Sequence, residues 1–429
     1  MAGYLEALNS LRKEMEISPA AMWDMAHAFM SEMRNGLANK ASSLKMLPSY
    51  LDSPNGSETG TYLALDFGGT NVRVYLVDLL GNGRYDIKKC RSFPLKSEEA
   101  GYDFTSPAAD LEDLFCFLAR QIKVLVPDKQ EYCLGHTFSF PCRLEGLNRA
   151  VLMSWTKEIE IAGAEGKDIV GVLKTALKNE RVFNVTPSAV INDTVGVMLA
   201  GAYRDKDCDI GSILGTGHNT CYFERNYSRD GKSMIINMES GNFDKAPLTR
   251  YDLLLDAGSE KPGAQLLEKM VSGRYLGEVA RLVLTCLIKD GLIFKGCTTD
   301  RLHQEYAFAT EDVGAIISDT TGNLFRVDAL LAQRLGVRGS SYPDRQVLRE
   351  ICRLTVNRSA ALVAATYLGI LKHIDPDMRR PHIIAVDGSL YEKMPGYARF
   401  VETVLKSELA DKHDRVSLRL IKNGSGIGA

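Results

Sequence analysis

The stretch Tyr62-Leu63-Ala64-Leu65-Asp66-Phe67-Gly68-Gly69-Thr70-Asn71-Val72-Arg73-Val74-Tyr75-Leu76-Val77 places two apolar, β-branched runs on either side of a short polar turn. This pattern predicts two antiparallel strands joined as a hairpin. The adjacent glycines Gly68 and Gly69 remove side chains where the backbone bends, so that backbone N–H groups can face an anion. Thr70 and Asn71 add side-chain donors at the same turn.

Asp66, at the end of the first strand, leaves two interpretations of this turn open. A carboxylate beside a phosphate-sized hole is electrostatically favourable only if a divalent cation lies between them. The first interpretation is therefore a nucleotide phosphate loop in which Asp66 faces Mg²⁺. The second is an ordinary hairpin in which Asp is a turn residue. This stretch alone does not decide between them.

Length and composition limit the classes of protein that fit. The chain has 429 residues, which is more than one hydrophobic core normally organises and predicts two domains. A formal net charge of -2 gives no electrostatic reason to expect nucleic acid or anionic lipid as a partner. The nine cysteines are scattered, which favours reduced thiols over a disulfide framework. Residues 1–18 lack the apolar core of a signal peptide, and apolar runs such as 360–371 are too short to span a membrane, so we expect a cytoplasmic protein.

Helical and strand patterns alternate along the rest of the chain. Helices are predicted within residues 2–47 and at 110–126, 166–178, 194–203, 264–270, 275–289 and 349–373. Beyond the opening hairpin, strands are predicted up to residue 94 and at 132–140, 189–191, 382–386 and 416–421.

A second strand, turn and strand pattern covers residues 209–223, with Gly215-Thr216-Gly217-His218-Asn219 at its turn. The two turns are about 147 residues apart, a separation too long for a solenoid repeat and suited to two related domains. We expect each domain to present one phosphate-binding hairpin to a shared cleft.

Taken in order, these segments resemble the hexokinase family, which includes the eukaryotic-type hexokinases and glucokinases of the actin-like ATPase superfamily. The match runs from about residue 46 to residue 426. The matching segments are 65–74 and 215–219 for the two phosphate motifs, Ser139-Phe140-Pro141 and Trp155-Thr156-Lys157 for the sugar segments, 190–194 for the catalytic aspartate, Glu239 and 262–268 for the two sugar-binding glutamates, and 386–389 for the adenosine motif.

The resemblance implies an α/β fold of two ribonuclease H-like (actin-like ATPase) domains, each a mixed sheet flanked by helices, with the active-site cleft between them. The expected small domain is 61–192, the large domain is 1–60 with 193–423, and 424–429 starts a C-terminal segment that continues in longer members. The implied reaction is transfer of the γ-phosphoryl group of ATP to the 6-hydroxyl of a hexose, feeding glycolysis. Glucose is the first candidate, with mannose and fructose as further candidates, in a monomer or homodimer.

The resemblance also implies a role for each matching residue. Asp193 would accept the proton of the attacking hydroxyl, and Lys157 would offset charge on the transferring phosphoryl group. Asp66, together with Asp193 through water, would face Mg²⁺. The residues expected to bind the sugar are Ser139, Phe140, Pro141, Thr156, Lys157, Asn192, Asp193, Asn219, Glu239 and Glu268. The residues expected to bind ATP are Asp66, Gly68, Gly69, Thr70, Asn71, Arg73, Thr216, Gly217, Gly388, Ser389, Gly424 and Ser425.

Simpler interpretations remain for three of these assignments. Asp193, in Asn-Asp ahead of a helix, also fits a helix N-cap. Lys157 also fits a solvated loop, and residues 424–426 also fit a frayed tail. The alternative functions are a sugar-sensing regulator without turnover and an actin-like or chaperone-type ATPase. The second of these has no use for Trp155-Thr156-Lys157 or Glu268.

Three positions depart from the family pattern. Ser240 follows Glu239 where the family usually has Trp, which predicts a looser wall of the sugar pocket. His218 and Thr220 are variants within the second phosphate motif.

Overall fold

The computed structural model describes residues 2–68, 71–127, 130–155, 159–227 and 231–429. Four residues with predicted roles, Gly69, Thr70, Thr156 and Lys157, lie outside the described residues.

Most strands lie in the first 237 residues of the chain, and the described residues 250–374 contain helices but no strand. The strands are β1 Leu47–Pro48, β2 Thr59–Phe67, β3 Asn71–Gly81, β4 Arg84–Pro94, β5 Lys96–Ser97, β6 Tyr102–Asp103, β7 Tyr132–Phe138, β8 Cys142–Leu144, β9 Ala150–Leu152, β10 Val185–Ile191, β11 Cys208–Leu214, β12 His218–Glu224, β13 Met234–Asn237, β14 His382–Asp387 and β15 Val416–Leu420. The α-helices are α1 Ala2–Met15, α2 Pro19–Leu37, α3 Leu111–Leu125, α4 Ile169–Asn179, α5 Asp193–Arg204, α6 Arg250–Ala257, α7 Leu266–Val271, α8 Leu276–Lys289, α9 Asp300–His303, α10 Thr310–Ile317, α11 Phe325–Leu330, α12 Tyr342–Ile374, α13 Ser389–Lys393, α14 Tyr397–Leu409 and α15 Gly424–Ile427. Short 3₁₀ or π turns cover Ser240–Asn242, Phe294–Gly296, Gly322–Leu324, Leu331–Leu335 and Ala410–Arg415.

The opening stretch forms the centre of a five-stranded sheet with the order β10-β7-β2-β3-β4. Strands β2, β3 and β4 form an antiparallel meander, which confirms the predicted hairpin and the predicted third strand. Strand β7 then adds to β2 in parallel. The register places Asp66 between Arg73 on β3 and Thr137 on β7. Alternating residues of β2, such as Leu65, pack with α3 and α4 in one hydrophobic cluster.

The second predicted hairpin lies in a six-stranded sheet with the order β1-β13-β12-β11-β14-β15. Strands β11 and β12 are antiparallel, while β14 and β15 run parallel to β11. Helix α12 is long and apolar enough to span a membrane, but 94% of its apolar window is buried inside the protein. It is therefore the core helix of this half. Helix α12 packs closely against α2, since a Cβ at Gly369 would lie 2.7 Å from the Ala26 carbonyl oxygen of α2.

Each large sheet has its own hydrophobic core, and the molecule is therefore built of two α/β lobes. We call the five-stranded sheet with α3 and α4 the small lobe, and the six-stranded sheet with its helices the large lobe. The exact domain boundaries given above stay a prediction.

Helix α5 joins the two lobes. In its last turn, the hydroxyl of Tyr203 accepts the N–H of Gly81 at 3.0 Å and donates to the Arg84 carbonyl oxygen at 2.8 Å. Both partners belong to the β3–β4 turn of the small lobe. Asp193 begins the other end of this helix.

His136 is a buried polar residue within the small-lobe core. Its ring contacts that of Phe138 edge-on, with centroids 5.3 Å apart. Neither ring nitrogen has a hydrogen-bond partner within the described part of the chain. Burial lowers the pKa of His136 to about 3, so the folded protein holds a neutral imidazole at this position.

We expect His136→Phe to stabilise the protein more at pH 5 than at pH 8. The unfolded chain takes up a proton on this imidazole near pH 6.5, but the folded chain does so only near pH 3. The free energy of unfolding therefore falls as the pH drops below about 6.5, by about 2 kcal/mol at pH 5. Phe takes up no proton and so removes this pH dependence. Thermal unfolding of both proteins at the two pH values measures the effect. Equal shifts at pH 5 and pH 8 would contradict it.

Candidate active site

Asp66 lies at the C-terminal end of β2, where the two lobes meet. Only 5% of the residue is exposed. Arg73 Nη1 is 3.7 Å from its Oδ2, and Ser425 Oγ donates to the same oxygen at 3.3 Å. Burial raises the pKa of Asp66 to about 6 despite Arg73, and the nearby charges of Asp193 and Asp387 raise it further. The protein thus keeps a carboxylate where its charge is disfavoured.

The residues around Asp66 fit a bound Mg²⁺ ion. Asp66 is buried, the charges of half-buried Asp193 and Asp387 act on it, and hard oxygen donors of this kind are the ligands that Mg²⁺ prefers. Among the residues whose placement is described, no group of three or more His, Cys, Asp or Glu side chains forms a metal site by itself. The ion would therefore need further oxygen ligands from phosphate and water.

The C-terminal segment 424–429 is packed between the lobes. The Gly424 N–H donates to Asp387 Oδ2 at 2.8 Å, and Thr137 Oγ1 donates to the Ser425 carbonyl oxygen at 2.6 Å. A Cβ at Gly426 would lie 3.2 Å from Cβ of Asp66. The frayed-tail interpretation is therefore wrong for this segment. ATP binding by Gly424 and Ser425 stays a prediction.

The second phosphate turn, between β11 and β12, is held from outside by a neighbouring loop. The Gly273 N–H donates to the Gly215 carbonyl oxygen at 2.8 Å, and the Arg274 N–H donates to the Thr216 carbonyl oxygen at 3.0 Å. Gly388 approaches the same turn from β14 with φ 126°, and a Cβ there would lie 2.4 Å from the Leu214 carbonyl group. Only glycine allows this approach.

A cavity of about 690 Å³ opens beside this turn and is of a size suited to a nucleoside. Two of its lining residues, Thr216 and Ser389, are predicted ATP ligands. The sequence analysis did not identify three further lining residues, Arg274, Thr310 and Lys393. It also did not predict helix α10, which begins at Thr310. No ligand-like spacing marks these residues in the sequence, because they come from three separate segments.

Asn192 and Asp193 have different structural roles at the start of α5. Asn192 is the N-cap, since its Oδ1 accepts the Thr194 N–H at 2.9 Å and the Thr194 hydroxyl at 2.6 Å. Asp193 is the first residue of the helix and is half-buried. One Asp193 oxygen also accepts the Thr194 N–H at 2.8 Å. The cap position, which was the simpler interpretation of Asp193, is thus filled by its neighbour.

The polar residues predicted to hold the sugar form a connected cluster in the large lobe. The Asn219 amide nitrogen lies 3.3 Å from Asn192 Oδ1 and 3.4 Å from Glu239 Oε1. Asn237, which the sequence reasoning missed, donates to the same Glu239 oxygen at 2.8 Å. The His218 N–H donates to Glu268 Oε2 at 2.9 Å. Amides and carboxylates in this arrangement suit a ligand with several hydroxyl groups.

The backbone is strained beside both glutamates. Glu239 has φ 52° and ψ 50°, and Gln265, three residues before Glu268, has φ 51° and ψ 44°. A non-glycine residue in this left-handed region costs about 1–3 kcal/mol and persists where surrounding structure enforces it. Such strain concentrates at functional sites, which agrees with the predicted role of Glu239.

The small lobe supplies the segment Ser139-Phe140-Pro141 directly after β7. The Ser139 N–H donates to the Phe67 carbonyl oxygen at 3.1 Å, and Phe140 packs edge-on against Phe67 with ring centroids 5.3 Å apart. Burial and the charge of Glu239 raise the pKa of Cys142, one residue further, to about 12. The small-lobe sugar segment therefore faces the large-lobe cluster.

The predicted residues thus fall into three neighbouring groups. Asp66 and Arg73 lie beside Asp193 at the junction of the lobes, with Gly68 and Asn71 at the ends of β2 and β3. Thr216, Gly217, Gly388 and Ser389 lie at the two large-lobe turns. Ser139, Phe140, Pro141, Asn192, Asn219, Glu239 and Glu268 lie on the two sides of the sugar cluster.

We expect Asp66→Asn to stabilise the free protein at pH 7.5. Because the folded pKa exceeds the unfolded value of 3.8, stability falls as the pH rises from about 4 to about 6, and the loss persists above pH 6. This loss of stability amounts to roughly 3 kcal/mol, and Asn removes it because the amide carries no charge. Thermal unfolding with and without Mg²⁺ and ATP should also show that the variant gains less from the ligands than the unmodified protein does.

Asp78→Asn provides the matched control on the adjoining strand β3. Asp78 accepts the Thr61 hydroxyl at 2.7 Å, and this hydrogen bond lowers its pKa. Replacing the Asp78 carboxylate should leave the stability of the protein unchanged or lower it. The stabilisation by Mg²⁺ and ATP should not change. A free Asp66→Asn protein that unfolds more easily than the unmodified protein would contradict the prediction.

Comparison with known proteins identifies the family. Models of the hexokinase family match residues 7–203 and 209–429. The chain is 36% identical over 449 residues to hexokinase-7 of Oryza sativa subsp. japonica, covering 99% of this chain and 95% of that protein. It is 36% identical to mouse hexokinase-1, where the alignment covers 99% of this chain and 45% of the longer mouse protein.

Solved structures give the same result. A hexokinase from Schistosoma mansoni, complexed with glucose, superposes with a TM-score of 0.82 at 32% identity, covering 99% of this chain and 98% of that one. A second hexokinase crystal structure gives a TM-score of 0.88 at 31% identity, covering 100% and 98% of the two chains. The two-lobed fold is thus that of the actin-like ATPases, as expected, and the chain belongs to the hexokinase family.

Proposed function

We propose that this protein transfers the γ-phosphoryl group of ATP to the 6-hydroxyl of a hexose, with glucose as the first candidate. Membership of the hexokinase family makes phosphorylation of a hexose its activity. The hydroxyl attacked, the nucleotide and the roles of single residues are the finer part of the proposal. The carrying observation is that Asp193 begins α5 between the Asp66 junction and the Asn219 cluster.

Asp193 is proposed as the group that accepts the proton of the attacking hydroxyl. Asn192 caps the helix and also lies 3.3 Å from the Asn219 amide, so the helix start and the sugar cluster are fixed to each other. A base of this kind contributes roughly 10²–10⁴ in rate. Holding the two reactants in line contributes about 7–11 kcal/mol, which makes positioning the larger effect.

ATP is proposed to bind from the large-lobe cavity to the junction of the lobes. The adenosine would occupy the cavity beside Thr216 and Ser389, and the phosphates would extend toward Asp66 and Arg73. Gly68, Gly69, Thr70, Asn71 and Gly217 would donate at the two turns, and Lys157 would offset charge on the phosphoryl group. Bound Mg²⁺ supplies further neutralisation of phosphate charge, with Asp66, and Asp193 through water, holding it.

The hexose is proposed to be selected through its hydroxyl groups. Hydrogen bonds to charged groups are worth about 1.5–3 kcal/mol each, and Glu239 and Glu268 can each accept them. A sugar that lacks the matching hydroxyl would leave a partly buried carboxylate without that donor. Glucose is favoured because the similar Schistosoma mansoni hexokinase was crystallised with it. Mannose and fructose are the next candidates, with Ser240 beside Glu239.

Closure of the lobes around the sugar is proposed to exclude water. Water resembles the attacking hydroxyl and is far more abundant, so affinity alone cannot exclude it. A site completed only when both lobes contact the sugar solves this problem. Ser139 and Phe140 are on one lobe and Glu239 on the other, and α5 joins the two.

We further propose a small domain of residues 61–192 and a cytoplasmic protein that is a monomer or homodimer. The small-lobe sheet covers Thr59–Ile191, which supports these bounds. Within the described ranges, the one helix both long and apolar enough to span a membrane is the buried core helix α12, which agrees with a cytoplasmic location.

We expect ADP release to require a hexose. Purified protein with Mg²⁺ and ATP should release ADP rapidly with glucose, more slowly with other hexoses and much more slowly without sugar, because closure completes the site. A coupled spectrophotometric assay over a panel of sugars measures this, with product analysis to locate the phosphate. Equal rates with and without sugar would indicate an ATPase, and sugar binding without ADP release would indicate a regulator.

We expect Asp193→Asn to bind glucose normally and to lose kcat by roughly 10²–10⁴-fold, because only the proton acceptor is removed. Steady-state kinetics and glucose titration measure the two quantities. Asp205→Asn, at the other end of the same helix, is the matched control and should retain kcat. Turnover of Asp193→Asn within a factor of two of the unmodified protein would remove Asp193 as the base.

A further inference from the structure

His218 follows the second phosphate turn, and its side chain closes this turn from inside. The residue is 3% exposed. Its Nδ1 lies 3.1 Å from the carbonyl oxygen of Ile213, the residue before Leu214 on the opposite strand. A carbonyl oxygen only accepts, so Nδ1 carries the hydrogen and donates. This hydrogen bond joins the two strands on either side of the phosphate turn, residues 214–217.

The other side of the same imidazole faces the residue that follows Glu239. Burial lowers the pKa of His218 to about 4, so the ring is neutral at working pH and its Nε2 is an acceptor. The Ser240 hydroxyl lies 3.5 Å from Nε2, at the long limit of a hydrogen bond, and Ser240 itself is fully buried. The Ser240 N–H in turn donates to Asn219 Oδ1 at 3.1 Å, within the sugar cluster.

The backbone of His218 holds the second glutamate. Its N–H donates to Glu268 Oε2 at 2.9 Å. The preceding Gly217 leaves room for this carboxylate, because a Cβ there would lie 2.8 Å from the same oxygen. One residue thus contacts the base of the phosphate turn, the segment after Glu239 and the carboxylate of Glu268.

We propose that His218 is a positioning residue that couples the hexose site to the second phosphate turn, with Ser240 as its partner. The His218 ring is buried, and its contacts given above are with protein groups. A hexose that fixes Glu268 and Asn219 would also fix the backbone of residue 218 and, through the Ile213 bridge, the turn that holds ATP. This inference rests on the proposed function of the same site. It adds a route by which sugar binding prepares the nucleotide site from inside the large lobe.

The test measures thermodynamic coupling between the two ligands. The dissociation constant of ADP is determined by titration with and without saturating glucose, and their ratio is the coupling factor. His218→Phe keeps a ring of similar size but has no donor at the Nδ1 position. His218→Asn keeps an N–H donor close to that position. Thr220→Val is the matched control, because Thr220 is buried two residues along the same strand and its hydroxyl has no partner in the described structure.

We expect His218→Phe to reduce the coupling factor roughly tenfold and to raise the KM for ATP, because the Ile213 carbonyl loses its donor. His218→Asn should restore most of the coupling, and Thr220→Val should keep all of it. Ser240→Ala, a smaller change, should reduce the coupling in the same direction. If His218→Phe does not fold, the coupling factor of Ser240→Ala tests the proposal.

Two results would overturn the proposal. One is a folded His218→Phe protein, or a Ser240→Ala protein, that keeps the coupling factor of the unmodified protein. The other is an equal loss in the Phe and Asn variants, since a merely structural ring would act through shape and not through its N–H. Both results are distinct from failure of the proposed function, in which the unmodified protein itself would not phosphorylate any hexose.

Discussion

The buried meeting of carboxylates between the two lobes is the constraint on which the site depends. Burial raises the pKa of Asp66 from the small lobe and of Asp387 from the large lobe, and the charges of Asp193 and Asp387 raise that of Asp66 further. Such an arrangement lowers the stability of the free protein, and the proposed Mg²⁺ and phosphates would offset that cost.

Several local features hold the strained site in place. Arg73 and Ser425 contact the Asp66 carboxylate, and the Gly424 N–H contacts Asp387. Tyr203 anchors the far end of α5 to the small lobe, so the position of Asp193 depends on both halves of the protein. The geometry around the nucleotide and the hexose is thus not set by either lobe alone, which suits an enzyme that must complete its site by closure.

The proposed hexose and phosphate sites are also connected through His218 within the large lobe. His218 bridges the phosphate turn through Ile213 and contacts Glu268 through its backbone. The two departures from the family pattern at His218 and Ser240 face each other, although they are 22 residues apart in sequence. The sequence suggested a looser sugar wall at Ser240. The structure shows that this serine is buried and that its hydroxyl faces an imidazole, and the looser wall stays a prediction.

The sequence by itself determined both hairpins, most helices and the order of the motifs, because strand alternation, helical periodicity and turn chemistry depend on neighbouring residues. It also determined the family. Only the tertiary structure decided that Asn192 and not Asp193 caps α5, that Arg274, Thr310 and Lys393 line the nucleoside-sized cavity, and that Ser425 contacts Asp66 across 359 residues of chain. Such contacts have no local signal, since each depends on how separately folded elements pack against one another.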